Sequence, residues 1–356
     1  MRPLSLSLAL LMLLALPGLV VADDAEQARL EELWKTGSLW QVGDNIPKVE
    51  AARKEIVAAG DAGLAFIFTK LNTTDGLEYR CIEAVFKGFG AKALPGLCER
   101  MGHEDVKVRR NVAAMLGVID DKSAAAKMVE HLKKETDLRC RVGHLQTLAR
   151  WKEPTALDPL IECTRTTQEQ EPLAERLKVR IVPLLANYED EKAISRLIEL
   201  LDDPAFFIRD AARDALKRTR PGHNACSLVA AKELKDCNEA DVPRLCLLIS
   251  ACIGYGSLSE FELFHTALSS THERLRARGV LSMVQWLEAY FEIIEENRRN
   301  GSTKEWVKSD RGSLSAGVAR AAEYFSSMRG TESSPLVLKS LDDADAALVR
   351  LAGKLK

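Results

Sequence analysis

A series of arginines is the most repetitive polar feature of the sequence, and arginine binds carboxylates through two parallel hydrogen bonds. Most of them follow an acidic residue by a few positions. This pattern could line a surface that holds acidic side chains, or form a structural ladder in which each acid also caps a helix. Packing requires regular repetition and a binding site does not, so we predict the ladder. Its arginines are Arg80, Arg109, Arg141, Arg180, Arg209, Arg244 and Arg276, and its acids are Asp105, Asp137, Asp203, Asp241 and Glu273.

Eight cysteines are the second group with distinctive chemistry. Two pairs sit on neighbouring predicted helices and could form disulfides, Cys81 with Cys98 and Cys140 with Cys163. A third pair could join Cys237 to Cys226 or Cys246, and spacing alone does not decide connectivity. Buried free thiols that pack as small apolar residues are an equally good interpretation. The sequence has no Cys-x-x-Cys, which argues against a redox site or haem attachment.

Metal-binding and catalytic motifs are missing from the sequence. The six histidines are scattered without His-Glu-x-x-His spacing, so we predict no metal site. Gly-x-Ser-x-Gly, the phosphate-binding loop and the dinucleotide-binding glycine pattern are absent. Carboxylates are plentiful, but nothing separates an acid/base pair from a solvated helix surface. We therefore predict no catalytic residue and no cofactor.

Charge excludes another class of partner. The 356 residues include 50 Lys and Arg against 52 Asp and Glu, a formal charge of −2. No large basic excess is available to neutralise a phosphate backbone, so we do not expect nucleic acid to bind.

The first 22 residues read as a secretory signal. Arg2 precedes a run without charge from Leu4 to Ala22, and Pro17-Gly18 interrupts that run before the small residues of Val20-Val21-Ala22. An uncleaved anchor helix is the alternative, but the break and the Val-x-Ala site favour cleavage. No later apolar run reaches membrane length. The pattern predicts an exported protein, periplasmic or secreted, without a membrane span after cleavage.

The chemistry described above has to be positioned by helices. The clearest unit runs from Ile194 to Leu216, where apolar residues recur at helical spacing on both sides of Asp202-Asp203-Pro204. Proline after two aspartates marks a turn, so the unit is a helix, a turn and a helix. The same layout returns around the other arginines and, in part, at Leu341–Arg350. No alternating strand pattern interrupts the series. We predict an all-α fold, a right-handed solenoid of stacked antiparallel helix pairs.

These units resemble HEAT repeats, with an apolar helix, an aspartate turn and then Val/Ile-Arg-x-x-Ala-x-x-x-Leu. The nearest variety is the short HEAT-like repeat named after phycobilisome lyases. The resemblance covers about residues 62–287, with a last partial unit at 335–355, and it is specific for fold rather than for function. It implies that acids and arginines form a ladder between units, and it leaves an enzyme of the lyase type as an alternative function.

Two segments depart from the repeat. After the signal peptide, 1–22, residues 23–60 read as an N-terminal helical cap, and the array follows at 61–287. Residues 288–334 form an irregular helical insertion before the partial repeat, 335–356. Insertions in solenoids often bind partners. We identify a candidate binding set there, although Trp306 could instead pack in the core against Trp286 or Tyr290. The set is Trp306, Arg298, Arg299 and Lys304.

The function that these features favour is non-enzymatic. Stacked helix pairs present a long groove that suits a protein segment better than a small molecule. We expect an extracytoplasmic scaffold that holds a protein partner. The alternatives are an enzyme of the lyase type, or an accessory subunit of an exported enzyme complex.

Export gives the first testable prediction. N-terminal sequencing of the protein isolated from its own cells should begin at Asp23, because signal peptidase cuts after small residues such as those of Val20-Val21-Ala22. A retained Met1 on cytosolic protein would contradict the prediction.

Overall fold

A computed structural model describes residues 24–167, 173–254 and 258–355, apart from the side chains of 258–259 and 304–307. Within these residues the regular structure is helical and contains no strand. The predicted all-α class is confirmed. The contacts divide the chain into two compact units, residues 1–144 and residues 145–356.

The first unit is a stack of helix pairs. Helices α2, α4 and α6 contact one another in sequence, and α1, α3 and α5 pack beside them. Asp75 and Asp105 begin α4 and α6 by accepting hydrogen bonds from backbone amides. The helices are α1 Asp24–Gly37, α2 Asn45–Ala58, α3 Gly60–Thr69, α4 Gly76–Phe89, α5 Leu94–Arg100, α6 Val106–Ile119, α7 Ala125–Leu132 and the start of α8, Leu138–Arg150.

The second unit repeats the arrangement and ends in three long helices. Its inner row is α10, α12, α14 and α16, each in contact with the next, and α18 completes the row. The helices are α9 Leu157–Cys163, α10 Ala174–Leu185, α11 Glu191–Glu199, α12 Phe206–Lys217, α13 Arg220–Glu233, α14 Val242–Ala251, α15 Leu258–Leu268, α16 Glu273–Arg299, α17 Lys304–Arg329 and α18 Pro335–Leu355.

The apolar pattern predicts which helix faces are buried. In the unit identified from the sequence, Leu197 and Leu201 before the turn and Ile208 and Ala212 after it are all buried. One stripe of each helix therefore faces its neighbours, which is how a repeat that cannot bury its apolar face alone becomes stable.

The C-terminal helices continue through two places where the sequence pattern changes. The boundary between residues 287 and 288 falls inside α16, and the partial repeat at Leu341–Arg350 lies within the single helix α18. In α18 the buried stripe passes from Leu341 to Ala344 without a break, so nothing interrupts the helix. Asp342 lies on the outer side and binds Arg329 with an Nη1–Oδ1 distance of 2.7 Å.

The predicted arginines close the turns that precede their helices. Arg109 Nη1 donates to the carbonyls of the residues six and five positions earlier, at 3.0 and 3.1 Å. Arg209 and Arg276 repeat these two bonds at the same offsets, at 2.8 and 2.9 Å and at 3.1 and 2.9 Å. Arg141 makes the first of them, at 3.4 Å. Each guanidinium thus satisfies backbone carbonyls that the turn leaves without a helical partner.

The predicted acid partners of these arginines are wrong. Asp105 and Asp137 accept backbone amides at the starts of their own helices, and Asp203 accepts the amide of Ala205. A carboxylate that caps its helix does not reach the arginine one turn later. Asp137 instead binds Arg110 at 2.6 Å, and Asp203 lies 3.5 Å from Lys178.

The remaining members of the predicted ladder also have other partners. Asp241 accepts the amide of Asn238, and Glu273 accepts the hydroxyl of Ser334. Arg244 pairs with Asp202 and Glu233. Arg180 donates to Gln146, and the Arg80 guanidinium lies 5.3 Å from the Trp40 ring centroid.

Neither candidate disulfide forms, and all eight cysteines are free thiols, in line with the alternative interpretation. The Cys81 sulfur packs against Gly37 of α1, where an added Cβ would lie only 2.9 Å away. The Cys81 side chain is therefore directed to α1. Cys140 and Cys163 are also buried and pack as small apolar residues.

Long-range carboxylate pairing does occur, with acids that the sequence pattern did not indicate. Arg276 binds Glu332 through two bonds, at 2.7 and 3.0 Å. Arg109 binds Glu135 in the same way, at 2.9 and 3.2 Å. Burial opposes ionisation of Glu135, but the bonds from Arg109, the Asp137 amide and His131 outweigh it and lower its pKa to about 2. This buried carboxylate depends on its donors.

A fully buried histidine lies beside this cluster. The ring of His144 packs edge-on against the ring of His131, with 5.4 Å between centroids. Burial, together with the neighbouring His131, lowers the pKa of His144 from 6.5 to about 4. His144 is therefore neutral in the folded protein at neutral pH.

The Arg109–Glu135 pair predicts that two similar mutations lower the free energy of unfolding by different amounts. Arg109→Ala leaves the buried Glu135 carboxylate without its main donor and should lower the free energy of unfolding by about 3–5 kcal/mol. Arg209→Ala removes only bonds to carbonyls and should cost about 1 kcal/mol. Urea denaturation at pH 7 measures both.

A second variant supplies the control for this prediction. Adding Glu135→Gln to Arg109→Ala should recover part of the loss, since the buried charge is removed. Equal losses for the two arginines, or no recovery, would contradict the assignment.

The buried histidine predicts a pH dependence. Between pH 6.5 and 4 the unfolded chain binds a proton at His144 that the folded chain does not, so stability falls as pH falls. The loss should reach about 2 kcal/mol between pH 6.5 and 5. Urea denaturation should show this slope in the wild type and in the His103→Phe control, an exposed histidine, but not in His144→Phe. An unchanged slope in His144→Phe would refute the prediction.

Candidate functional site

The predicted binding set lies where α16 ends and α17 begins. Arg298 and Arg299 are exposed in the last turn of α16, and Arg298 Nε donates to Glu295 at 2.8 Å. Gly301, with φ of +87°, follows the end of the helix in a conformation that glycine favours. Lys304 and Trp306 belong to the first turn of α17, but their side chains lie outside the described residues. Arg298 therefore forms an ion pair with Glu295. The binding role of Trp306 remains a prediction.

A groove farther along α17 is the strongest candidate site. Helices α15, α16 and α17 enclose it, with a volume of about 330 Å³. The sequence pattern indicated no binding residue in this groove. It named Trp286 and Tyr290 only as candidate packing partners of Trp306. Its lining is Phe261, Trp286, Tyr290, Ser313, Leu314, Ala316, Gly317 and Arg320.

Aromatic rings form the floor of the groove. Trp286 and Tyr290 are one turn apart on α16, so their rings lie on the same face with 5.6 Å between centroids. Phe261 of α15 meets Trp286 at 5.7 Å in an edge-to-face arrangement. Tyr324 of α17 lies 6.5 Å from Phe261 and stacks on His265 at 4.1 Å. Phe261, Trp286 and Tyr290 thus form a continuous aromatic floor contributed by α15 and α16.

Small residues keep the groove open on the α17 side. A Cβ on Gly317 would lie 3.1 Å from Leu287, so glycine lets α17 approach α16 closely. Ser313 and Ala316 are exposed and leave room beside the rings. An extended or helical segment could lie against this face without displacing a large side chain.

Two polar contacts bound the groove. Arg320 Nη2 bridges from α17 to Glu262 of α15 at 3.0 Å, and its Nε donates to the Tyr324 hydroxyl at 2.7 Å. Near the other boundary, burial raises the pKa of Tyr290, and the neighbouring Asp310 adds to that rise. The Arg320–Glu262 bond joins α17 to α15, and the Tyr290–Asp310 contact joins α16 to α17.

A buried polar network positions the floor from below. Trp286 Nε1 donates to Glu260 at 2.8 Å, and the other carboxylate oxygen of Glu260 lies 3.3 Å from His223 Nδ1. His223 Nε2 lies 3.1 Å from the carbonyl of Lys217. Both Glu260 and His223 are buried. The network fixes the indole ring, and neither residue had a sequence signal because they are 37 positions apart.

The lining offers hydrophobic contact and ring stacking. Its one charged group, Arg320, already binds Glu262 and lies 5.5 Å from the Phe261 ring centroid. Among the residues that the structure describes, no group of three or more His, Cys, Asp or Glu side chains could hold a metal ion. An apolar side chain is therefore the natural ligand of this groove.

Position 306 is related to the groove through the helix on which it lies. On α17 the positions 306, 310, 313, 317, 320 and 324 recur at steps of three or four and so share one face. The groove residues Ser313, Gly317 and Arg320 occupy that face. The backbone of the predicted binding segment thus continues the line of the groove.

Comparison with known proteins identifies the repeat. A family model described as HEAT repeats matches residues 94–178, which confirms the resemblance seen in the sequence. A search of curated protein sequences finds no match to the chain.

Solved structures resemble the chain at low identity. A chain of the Kap95p–RanGDP complex is similar with a TM-score of 0.50 and 10% identity, over 93% of this chain and 52% of that one. This likeness shows the fold alone. YibA of Escherichia coli has a TM-score of 0.41 and 14% identity, over 78% and 98%. The CpcE–CpcF phycocyanin lyase of Nostoc has a TM-score of 0.30 and 15% identity, over 65% and 94%.

None of the described helices combines the length and the apolar character that a membrane span requires.

Proposed function

We propose that this HEAT-repeat chain is a non-enzymatic scaffold that acts outside the cytoplasm and holds a segment of a protein partner in the aromatic groove. The observation that carries the proposal is the groove itself, an open channel of about 330 Å³ with an aromatic floor and a wall of small residues. Trp, Tyr and Arg are the residue types that dominate binding energy at protein interfaces.

The rigidity of the site supports binding rather than catalysis. Trp286 is held by Glu260, and Arg320 is held by Glu262 and Tyr324. Side chains fixed in this way lose little conformational entropy when a partner binds, so more of the contact energy appears as affinity. The one charged group of the lining, Arg320, stays protonated and is bonded to Glu262 and Tyr324, so it does not exchange a proton with a substrate.

One solved structure with the same fold gives this proposal a general precedent. Kap95p, whose complex shares the fold, binds the protein RanGDP. We extend from it the general idea that a helical stack holds a protein partner. The location outside the cytoplasm rests on the signal pattern of residues 1–22, which lie outside the described residues.

The groove can be filled without disturbing the core. Ala316 lines it and is exposed, whereas Ala319, one turn along α17, is exposed but does not line it. Ala316→Arg should place a long cation among the aromatic rings and weaken partner binding about tenfold or more. Ala319→Arg makes the same change of charge and size on the same helix and should bind as the wild type does.

The experiment is affinity purification of the three proteins from their own cells, with quantitative mass spectrometry of the captured partners. A protein held by the wild type and Ala319→Arg but lost by Ala316→Arg supports the proposal. The same partners on all three proteins would reject the groove. Turnover of a metabolite by the purified chain would instead favour the enzyme alternative.

A further inference from the structure

We propose that the first unit carries a second binding surface, which takes an acidic peptide segment bearing an apolar side chain. It is formed by the loop between α1 and α2 and by the groove between α2 and α4, and we call it the Trp40 surface. It is independent of the aromatic groove, since all of its residues lie in the first unit.

The loop exposes large apolar side chains together. Trp40 is 53% exposed and Val42 is 51% exposed, and Leu39 and Ile46 are exposed by 44% and 41%. Single exposed apolar residues are ordinary, but a contiguous group of them marks an interaction site. A solenoid surface that faces only water is normally polar. The loop between α1 and α2 is instead apolar.

The loop is held in one conformation. Arg53 of α2 donates to the Gly37 carbonyl at 2.9 Å and to the Gln41 side chain at 3.2 Å. Gln41 in turn donates to Glu50 at 3.2 Å. Gly43, with φ of +53°, allows the turn that leads into α2. Since the loop is ordered before a partner arrives, binding costs little conformational entropy.

A groove continues from the loop along the surface of the unit. It has a volume of about 360 Å³ and an apolar base of Val57, Ala84 and Gly88. A Cβ on Gly88 would lie 2.7 Å from Val57, so glycine allows α4 to pack closely on α2. The groove accepts side chains of a segment whose apolar anchor lies on Trp40.

The charge around the surface determines what the segment must carry. Arg80 lies over the Trp40 ring, with 5.3 Å from the guanidinium carbon to the centroid, and Arg53 and Lys54 line the groove. In the described part of the chain these three cations form no ion pair. Glu50, the one acid in the lining, accepts a hydrogen bond from the Gln41 amide and keeps its charge, and Asp44 of the loop is a second carboxylate. Arg53, Lys54 and Arg80 outnumber these two acids, so the surface presents a net positive charge beside exposed apolar groups.

Aspartate or glutamate next to a leucine or an aromatic residue complements both features. A carboxylate can bind the Arg80 fork bidentately while the apolar neighbour packs on Trp40. Arginine stacked on tryptophan is already oriented for this contact, because the ring restricts the guanidinium.

The test uses a phage-displayed library of random linear peptides selected on the purified chain. Selection on the wild type should enrich sequences that join an acid to an apolar residue, and selection on Trp40→Ala should not. The best peptide, made synthetically, should lose affinity about tenfold or more in Trp40→Ala and in Arg80→Glu, measured by fluorescence anisotropy. Its binding should also weaken with added salt.

Matched variants separate this surface from general effects. Arg139→Glu reverses an exposed charge elsewhere in the same unit and should leave the peptide affinity unchanged, as should Ala316→Arg in the other groove. Trp40→Phe should retain binding. If Trp40→Ala lowers the melting temperature, Arg80→Glu and Trp40→Phe still measure the contact.

Three outcomes would overturn the inference. One is enrichment of no peptide beyond that on Trp40→Ala, and another is enrichment of peptides without acids. The third is a concentration-dependent dimer abolished by Trp40→Ala, which would make a second copy of the chain the occupant. The affinity purification with Ala316→Arg is unaffected by any of them, so the two proposals fail separately.

Discussion

Burial of one apolar stripe per helix against the neighbouring pair is the constraint on which the rest of this structure depends. Leu197, Ile208 and Ala212 are buried where α11 and α12 pack against each other and against the neighbouring helices. A helix pair cannot bury its apolar face by itself, so each helix pair must pack against the next one. The turns then have to bring the chain back in register. Arginines such as Arg209 secure them by donating to turn carbonyls that would otherwise lack partners.

Stacking of this kind leaves few places for buried charge, and those few are fully bonded. Glu135 and Glu332 each receive two bonds from one guanidinium. Glu260 is bonded by Trp286 and His223. A buried carboxylate is stabilising only while its donors remain. These residues therefore stabilise the fold through specific pairs, and each pair depends on both partners. His144 is the exception, because burial keeps it neutral.

The two surfaces proposed for binding arise where the regular stack changes. The aromatic groove exists because α16 and α17 are much longer than the repeat helices, so α17 runs alongside α15 and α16. The Trp40 surface lies on the loop between α1 and α2, whose apolar side chains are exposed among the described residues. In both places a fixed aromatic ring lies beside an arginine, as Trp40 does with Arg80 and Phe261 with Arg320.

The sequence by itself determined the helical class, the repeated helix-turn-helix unit and, for six of the seven arginines, a position near the start of the helix. These features depend on periodicity and capping within about twenty residues, and local spacing records them. Tertiary structure alone decided which carboxylate each arginine meets. Arg109 and Glu135 are 26 positions apart and Arg276 and Glu332 are 56 apart, whereas the nearer Asp105 is used as a cap. It also decided that Phe261, Trp286 and Tyr290 share one floor, because that depends on how α15 and α16 pack, which no local pattern encodes.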